Sequence, residues 1–223
     1  MPSMDDAMLS PLLTITLRTL WICGSALILA LLVGVPIGIA LGSRQFVSRG
    51  LLVSSVNAGM GAPPVVVGLI GSILLARSGP LGELELIYTP YAMILTSTAI
   101  ALPLVIGLTL AAVGSLDAEW DLQVRTLGIG RRWRIWLLVR EIRMGLLAAI
   151  IAAMGGILSE VGAVRMVGGN IEGETRVLTT AIMMHTSMGE YEEALGQAAV
   201  LVGNMLVLAG LLTWIQQSGR SRG

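Results

Sequence analysis

Five long apolar segments constrain the fold of this chain more than any other feature. They lie near residues 20–41, 51–76, 92–116, 144–167 and 194–215. An α-helix rises 1.5 Å per residue, so about 20 apolar residues cross the roughly 30 Å of hydrocarbon in a bilayer. The polar stretches between these segments are short. The sequence therefore predicts an all-α, polytopic membrane protein with about five transmembrane helices, forming a single domain over residues 1–223.

The charged and reactive residues exclude several classes of function. Only 13% of the residues are charged, and all fourteen basic residues are arginine. Because a nucleotide-binding P-loop needs a lysine on the phosphates, this chain cannot supply one. Its single histidine, His185, and single cysteine, Cys23, cannot build a His-pair or cysteine metal site. We therefore expect no enzymatic activity, no metal, no bound cofactor and no nucleic-acid partner.

The arginines are distributed unevenly along the chain, and this predicts its orientation in the membrane. Ten of the fourteen lie in the loop 42–50, the central loop 117–143 and the tail after the fifth span. With five spans these three regions share one side, which the positive-inside rule makes cytoplasmic. The N-terminus is then outside. Residues 2–10 contain Asp5 and Asp6 and no basic residue, unlike the positive start of a cleaved signal peptide, so we expect the first apolar segment to be a retained membrane helix.

The central loop combines arginines with apolar residues at helical spacing. Leu127, Ile135, Trp136 and Leu138 recur among the arginines, and Gly128 and Gly130 interrupt the helical pattern. The pattern predicts a short helix–turn–helix with an apolar ridge and a basic rim, which suits a groove on a partner protein. A solvated loop that contacts anionic lipid is an equally good interpretation from composition alone.

This loop resembles the cytoplasmic EAA motif of the permease subunits of type I, binding-protein-dependent ABC importers, in which it docks on a separate ATPase. Gly128 aligns with the motif's glycine. The motif's glutamate falls on Leu122, and its Leu-Pro falls on Arg140-Glu141. The resemblance implies a set of ATPase-coupling residues. These are Arg125, Leu127, Gly128, Arg131, Arg132 and Trp133.

Two further stretches resemble oxyanion permeases of this family, the second of them the permeases for molybdate and tungstate. One is Gly-Ala-Pro-Pro-Val-Val-Val-Gly at 61–68; the other contains Glu-Val-Gly-Ala at 160–163 and Gly-Gly-Asn-Ile at 168–171, which is closest to tungstate-type permeases. The resemblance runs from about residue 12 to 215. It implies the type I permease fold in a bacterial or archaeal cytoplasmic membrane and alternating access by a dimer of this chain. It also implies two ATPase subunits that use ATP and Mg, and an extracytoplasmic substrate-binding protein.

Seven residues are candidates for the translocation path or its gate. Pro63 and Pro64 break the second span, which is tolerated where protein or water lines the break. Glu160 is a carboxylate in apolar surroundings. Because like charges repel, we favour a structural role for it, anchoring the turn at 168–170. The full set of candidates is Pro63, Pro64, Glu160, Arg165, Gly168, Gly169 and Asn170.

Each candidate also has a purely structural interpretation. The prolines can form a simple kink, and Arg165 and Arg176 can pair with Glu172, Glu174 or a binding protein. Gly168 and Gly169 can adopt positive φ, with Asn170 capping a turn. His185 is expected to face solvent, with a pH-sensing role as the alternative. A separate set of glycines within the spans is expected to let helices approach closely. They are Gly155, Gly156, Gly162, Gly203 and Gly210.

Other functions remain open at this stage. Molybdate, sulfate or a small organic solute are alternative cargoes. A gradient-driven secondary transporter would need several acids within the spans, and Glu160 is the one candidate. A membrane scaffold that recruits a partner through the arginine-rich loop would make polar residues along a path dispensable.

Overall fold

A computed structural model of the chain describes residues 4–117 and 119–220, without the side chains of residues 4–10, 121, 125, 131 and 218–220. Within these ranges the chain is helical and forms no strand. The all-α prediction is therefore confirmed. The helices are α1 (Met4–Ser43), α2 (Arg49–Met60), α3 (Pro64–Leu75), α4 (Pro90–Gly114), α5 (Trp120–Thr126), α6 (Arg131–Glu141), α7 (Arg143–Ser159), α8 (Gly162–Gly168), α9 (Leu178–Met188) and α10 (Tyr191–Arg220).

Three described helices are long and apolar enough to cross a membrane, and two bent pairs bring the number of candidate spans to as many as five. The three are Pro11–Ser43, Pro90–Gly114 and Tyr191–Gln217. The two bent pairs are α2 with α3, and α6 with α7. Compared with the five predicted segments, two spans are interrupted rather than continuous. The segment 51–76 consists of α2 and α3, which are bent by 100°. The segment 144–167 consists of α7 and α8, so Glu160 lies at a helix end and not inside a helix.

The bend between α2 and α3 follows from consecutive prolines. A proline disfavours helical backbone in the residue before it, and Pro63 is accordingly extended, with φ −62° and ψ 124°. Pro64 then occupies the first turn of α3, where its missing N–H costs nothing. The chain therefore ends one helix, turns, and begins another within four residues.

Helices α1 and α4 pack together through glycines spaced four residues apart. A Cβ on Gly34, Gly38 or Gly42 would lie 2.8, 2.6 or 2.7 Å from side-chain atoms of Val105, Thr109 and Val113, respectively. Residues four apart lie on one helix face, so this stripe lets the two backbones approach closely.

The glycines expected to make such contacts do so in one case only. A Cβ on Gly162 would meet Val65 at 3.1 Å, whereas Gly155, Gly156, Gly203 and Gly210 have no atom within 4 Å. For contacts within one chain, the prediction for these four glycines is wrong. They border open space on α7 and α10, where apolar side chains such as Leu206 and Trp214 are also exposed.

Candidate translocation cavity and coupling segment

A cavity of about 420 Å³ lies where the α2–α3 bend meets α4 and α7. The bend contributes Gly59 to Pro64 and Val67, α4 contributes part of its middle, and α7 contributes its C-terminal half and the following Glu160. Three of the seven candidate path residues therefore border one space: Pro63, Pro64 and Glu160. The bend needed to form this wall is the one that the two prolines cause.

The Glu160 carboxylate caps the N-terminus of α8. Its Oε1 accepts a hydrogen bond of 2.8 Å from the Ala163 backbone N–H. The backbone carbonyl of Glu160 accepts a second one, of 3.2 Å, from the Thr179 hydroxyl of α9. Because the positive end of a helix dipole favours a negative charge, the carboxylate stabilises the start of α8. Glu160 thus joins α8 to α9 while its side chain borders the cavity.

The cavity lining is apolar apart from a few polar groups. Among the described lining residues, Glu160 carries the one charge, and Ser159 donates its hydroxyl hydrogen bond back to the Gly156 carbonyl at 3.1 Å. An anion in this space would meet no cationic side chain of the described lining. The N-terminus of α3, which begins at Pro64 on the cavity wall, supplies the partial positive charge of a helix start.

The other four path candidates lie outside this cavity, at the C-terminal end of α8. Arg165 is exposed, whereas its neighbours Ala163, Val164 and Val167 are buried against the bundle. Gly169 and Asn170 have positive φ values of 73° and 57°.

Gly168 does not adopt positive φ; it is the last residue of α8. Its role is close packing, because a Cβ there would lie 2.8 Å from Met93 Sδ. A Cβ on Gly169 would lie 2.8 Å from a ring carbon of Tyr88, whose backbone N–H donates a 2.8 Å hydrogen bond to the Val167 carbonyl. This turn therefore packs against the rest of the protein and is not an open loop.

Thr175 holds the turn that Glu160 was expected to anchor. Its fully buried hydroxyl donates to the Gly168 carbonyl and accepts from the Ile171 N–H at 2.8 Å. Thr19 plays a similar part from α1, because its hydroxyl accepts from the Leu178 N–H at 3.0 Å and so caps α9. Neither threonine was predicted from the sequence, because Thr19 bonds to a residue 159 positions away and both bonds of Thr175 depend on the path of the folded turn.

The expected ion pairs of the outer arginines are partly present. Arg176 lies 3.5 Å from Glu172, as one interpretation proposed. Arg18 donates hydrogen bonds to the carbonyls of Gly173 and Arg176, so the N-terminal half of α1 is fastened to this loop. No ion pair of Arg165 is found among the described residues.

His185 does not simply face solvent, as had been expected. Its Nδ1 lies 2.6 Å from Glu190 Oε2, and 19% of its side chain is exposed. The pair closes the turn between α9 and α10, where Gly189 has a φ of 80°. This contact gives the histidine a structural partner at the end of α9.

The central loop forms the expected helix–turn–helix. Helices α5 and α6 are separated by a turn in which Gly128 has a φ of 65°, and Gly130 precedes the first residue of α6. Leu127 and Trp133 are 71% and 64% exposed, and Arg132 is exposed as well. Two other coupling candidates, Arg125 and Arg131, have side chains outside the described set.

The exposed surface of α6 is aromatic and basic. The rings of Trp133 and Trp136 meet edge to face with centroids 5.7 Å apart, and the Arg140 guanidinium lies 5.4 Å from the Trp136 ring centre. Leu138 does not belong to this ridge, contrary to the prediction. It is buried with Val113 and with Ile142, at which α6 bends by 66° into α7.

Comparisons with known proteins extend over most of the chain. The family described as "Binding-protein-dependent transport system inner membrane component" matches residues 34–218. A probable anion ABC transporter permease protein of Haloferax volcanii is 39% identical over 209 residues, covering 92% of this chain and 90% of its own. The tungstate uptake system permease protein TupB of Peptoclostridium acidaminophilum is 38% identical over 189 residues, covering 85% and 83%. The molybdenum transport system permease protein ModB of Escherichia coli is 27% identical over 211 residues, covering 87% and 90%.

Proposed function

This chain belongs to the binding-protein-dependent transport system inner membrane components, the permease subunits of ABC transporters, and on that premise we propose that its cargo is tungstate, imported as an oxyanion. As such a subunit it is a multi-pass membrane protein and not itself an enzyme. The observation that supports tungstate as the substrate is the sequence identity to a tungstate permease, which is 38% over 85% of the chain, against 27% to a molybdenum permease.

The family works with ATPase and binding-protein partners, and we propose the particular assembly. Two copies of this chain would pair in a cytoplasmic membrane, with two ATPase subunits on the α5–α6 side and an extracytoplasmic binding protein on the other. The N-terminus would lie outside and the C-terminus in the cytoplasm. ATP and Mg would be bound by the ATPase subunits, and this chain would hold no cofactor.

The connection of α6 to α7 supports a direct mechanical coupling. Helix α7 starts one residue after the bend that ends α6 and finishes at Ser159, on the cavity wall. Its 17 residues span about 25 Å. A displacement of the α5–α6 segment by a docked ATPase would move α7 as a rigid element, and the cavity wall with it. Exposed Leu127, Arg132 and Trp133 would make the contact, and Gly128 would set the turn.

The test is substrate-stimulated ATP hydrolysis by the assembled transporter in liposomes. We expect binding protein loaded with tungstate to stimulate hydrolysis more than the molybdate- or sulfate-loaded protein. The variant Gly128→Pro should abolish stimulation, because proline cannot adopt a φ of 65°. Equal stimulation by all three anions would overturn the tungstate assignment. Full stimulation of Gly128→Pro would overturn the coupling role of the turn.

A further inference from the structure

A second cavity lies at the opposite end of the bundle from the loop that Arg18 fastens. Its volume is about 650 Å³, and it opens between the C-terminal ends of α1 and α4 and one face of α6. Most of its lining is apolar, so it can accept hydrocarbon. The apolar wall includes Val35, Pro36, Ile39, Val113, Leu116 and Leu138.

The lining of this cavity includes two arginines and one acid, and the end of the cavity that they line is called its mouth. Arg44 follows the end of α1, Arg134 lies in the first turns of α6, and Asp117 follows α4. Neither arginine forms an ion pair with any described residue. The three groups together leave one net positive charge. That charge complements a singly charged phosphodiester better than it does a zwitterionic head group.

The position of the cavity along α1 and α4 also favours a lipid as its ligand. The apolar runs of α1 and α4 end at Ser43 and Gly114, so this mouth lies where the two helices leave hydrocarbon. Trp120 borders it, and tryptophan is enriched at the membrane–water interface. Basic pockets between membrane helices bind the head groups of anionic lipids.

The two faces of α6 separate this cavity from the surface available to a protein. Arg134 and Leu138 lie four residues apart on the face that lines the cavity. Trp133, Trp136 and Arg140 occupy the opposite face and are exposed. A molecule in the cavity would therefore contact α6 without covering its aromatic surface.

We propose that this cavity binds one anionic phospholipid, with its phosphate between Arg44 and Arg134 and part of an acyl chain against α1, α4 and α6. The bound lipid would hold α6 against the C-terminal ends of α1 and α4. This assignment does not depend on the transported anion.

The test is native mass spectrometry of the purified full-length chain, offered phosphatidylglycerol or phosphatidylcholine with identical acyl chains. We expect one phosphatidylglycerol per chain and at least fivefold less phosphatidylcholine. Replacing both mouth arginines, R44Q with R134Q, should lower phosphatidylglycerol retention at least fivefold, whereas the matched control Arg140→Gln on the same helix should not. The variant Ala40→Trp, which narrows the apolar wall but keeps both arginines, should also lower retention.

Three outcomes would overturn the proposal. Equal retention of the two lipids would remove the head-group selectivity. Undiminished phosphatidylglycerol in the doubly substituted chain, with an unfolding temperature equal to that of the parent, would place the lipid elsewhere. Stabilisation by inorganic phosphate alone, lost in the same variant, would identify a site for a free anion instead.

Discussion

At the scale of single residues, Glu160 shows how a charge in apolar surroundings can be structural and still border a cavity. Its Oε1 accepts a hydrogen bond from the first turn of α8, and the residue lines the cavity. The cap needs an oxygen acceptor, whereas any electrostatic effect on a passing anion needs the charge. Substitutions can separate the two roles.

We expect Glu160→Gln to keep the cap and Glu160→Ala to lose it. The alanine variant should lose about 1 kcal/mol of stability, as other helix caps do, and the glutamine variant less than about 0.5 kcal/mol, because an amide oxygen still accepts. Thermal unfolding in detergent measures both. Transport by Glu160→Gln should equal or exceed that of the parent chain, since a like charge is removed from beside the anion. Loss of transport with an unchanged unfolding temperature would instead make the carboxylate part of the path.

Gly128 and Gly130 form a matched pair for testing the coupling turn. Gly128 has a φ of 65° and Gly130 a φ of −62°, and a Cβ on either would meet no atom within 4 Å. An alanine at Gly128 should therefore cost about 1–2 kcal/mol through backbone strain alone, and an alanine at Gly130 almost nothing. If the turn is the ATPase docking site, an alanine variant that relaxes to negative φ in the free chain must be strained again on docking, so Gly128→Ala should weaken ATPase binding about fivefold to thirtyfold. Equal affinities of the two variants, measured by titration in detergent, would contradict that role.

Some features of individual residues can be predicted from the sequence, and others cannot. The break at Pro63 and Pro64 is predictable because proline restricts its own backbone and that of its neighbour. The role of Thr19 is not predictable, because it caps a helix 159 residues further along the chain, and that of Thr175 is not, because its bond to the Gly168 carbonyl depends on how the intervening turn folds. The EAA-like spacing found Gly128, but not that Leu138 turns inward to pack on Val113.

At the scale of helices, the glycine stripe of α1 decides how closely α1 and α4 pack. The sequence contains glycines in every span, and their positions alone do not separate Gly38 from Gly155. The difference lies in what each faces: Thr109 and the Ile106 carbonyl for Gly38, open space for Gly155. Which glycine is needed for close packing is therefore determined by a contact between two helices that are far apart in the sequence.

We expect Gly38→Ala to destabilise the protein and Gly24→Ala, on the same helix, not to. A Cβ on Gly38 would lie 2.6 Å from Thr109 Cβ and 2.9 Å from the Ile106 carbonyl oxygen, and neither atom is the end of a flexible side chain. Overpacking of this kind costs about 1–3 kcal/mol. A Cβ on Gly24 would meet nothing within 4 Å, and alanine favours helix over glycine. Equal unfolding temperatures for the two variants would show that α1 and α4 are not held in this contact.

At the scale of the whole molecule, α1 places the two charged poles of the protein at opposite ends. In the N-terminal half of α1, Thr19 caps α9 and Arg18 binds the loop that carries Glu172 and Glu174. Past its end, the Arg49 Nε donates a 2.8 Å hydrogen bond to the Leu41 carbonyl. From Thr19 to Ser43 the helix rises about 36 Å, enough to cross the hydrocarbon. Arginine counts predict which of the two ends is cytoplasmic, and α1 keeps the two ends about one bilayer thickness apart.

This separation leads to a direct test of orientation. In a Cys23→Ala background, single cysteines would replace Gln45, exposed after the end of α1, and Ser187, exposed near the end of α9. A membrane-impermeant maleimide should label Ser187→Cys in intact cells, and Gln45→Cys only after the membrane is permeabilised. The opposite pattern would invert the proposed topology and place the α5–α6 segment, with its exposed tryptophans, outside the cell and away from any ATPase. Labelling of both positions in intact cells would mean that α1 does not separate them across the bilayer. The proposed coupling, in which α7 links a cytoplasmic α6 to a cavity within the membrane, would then be wrong.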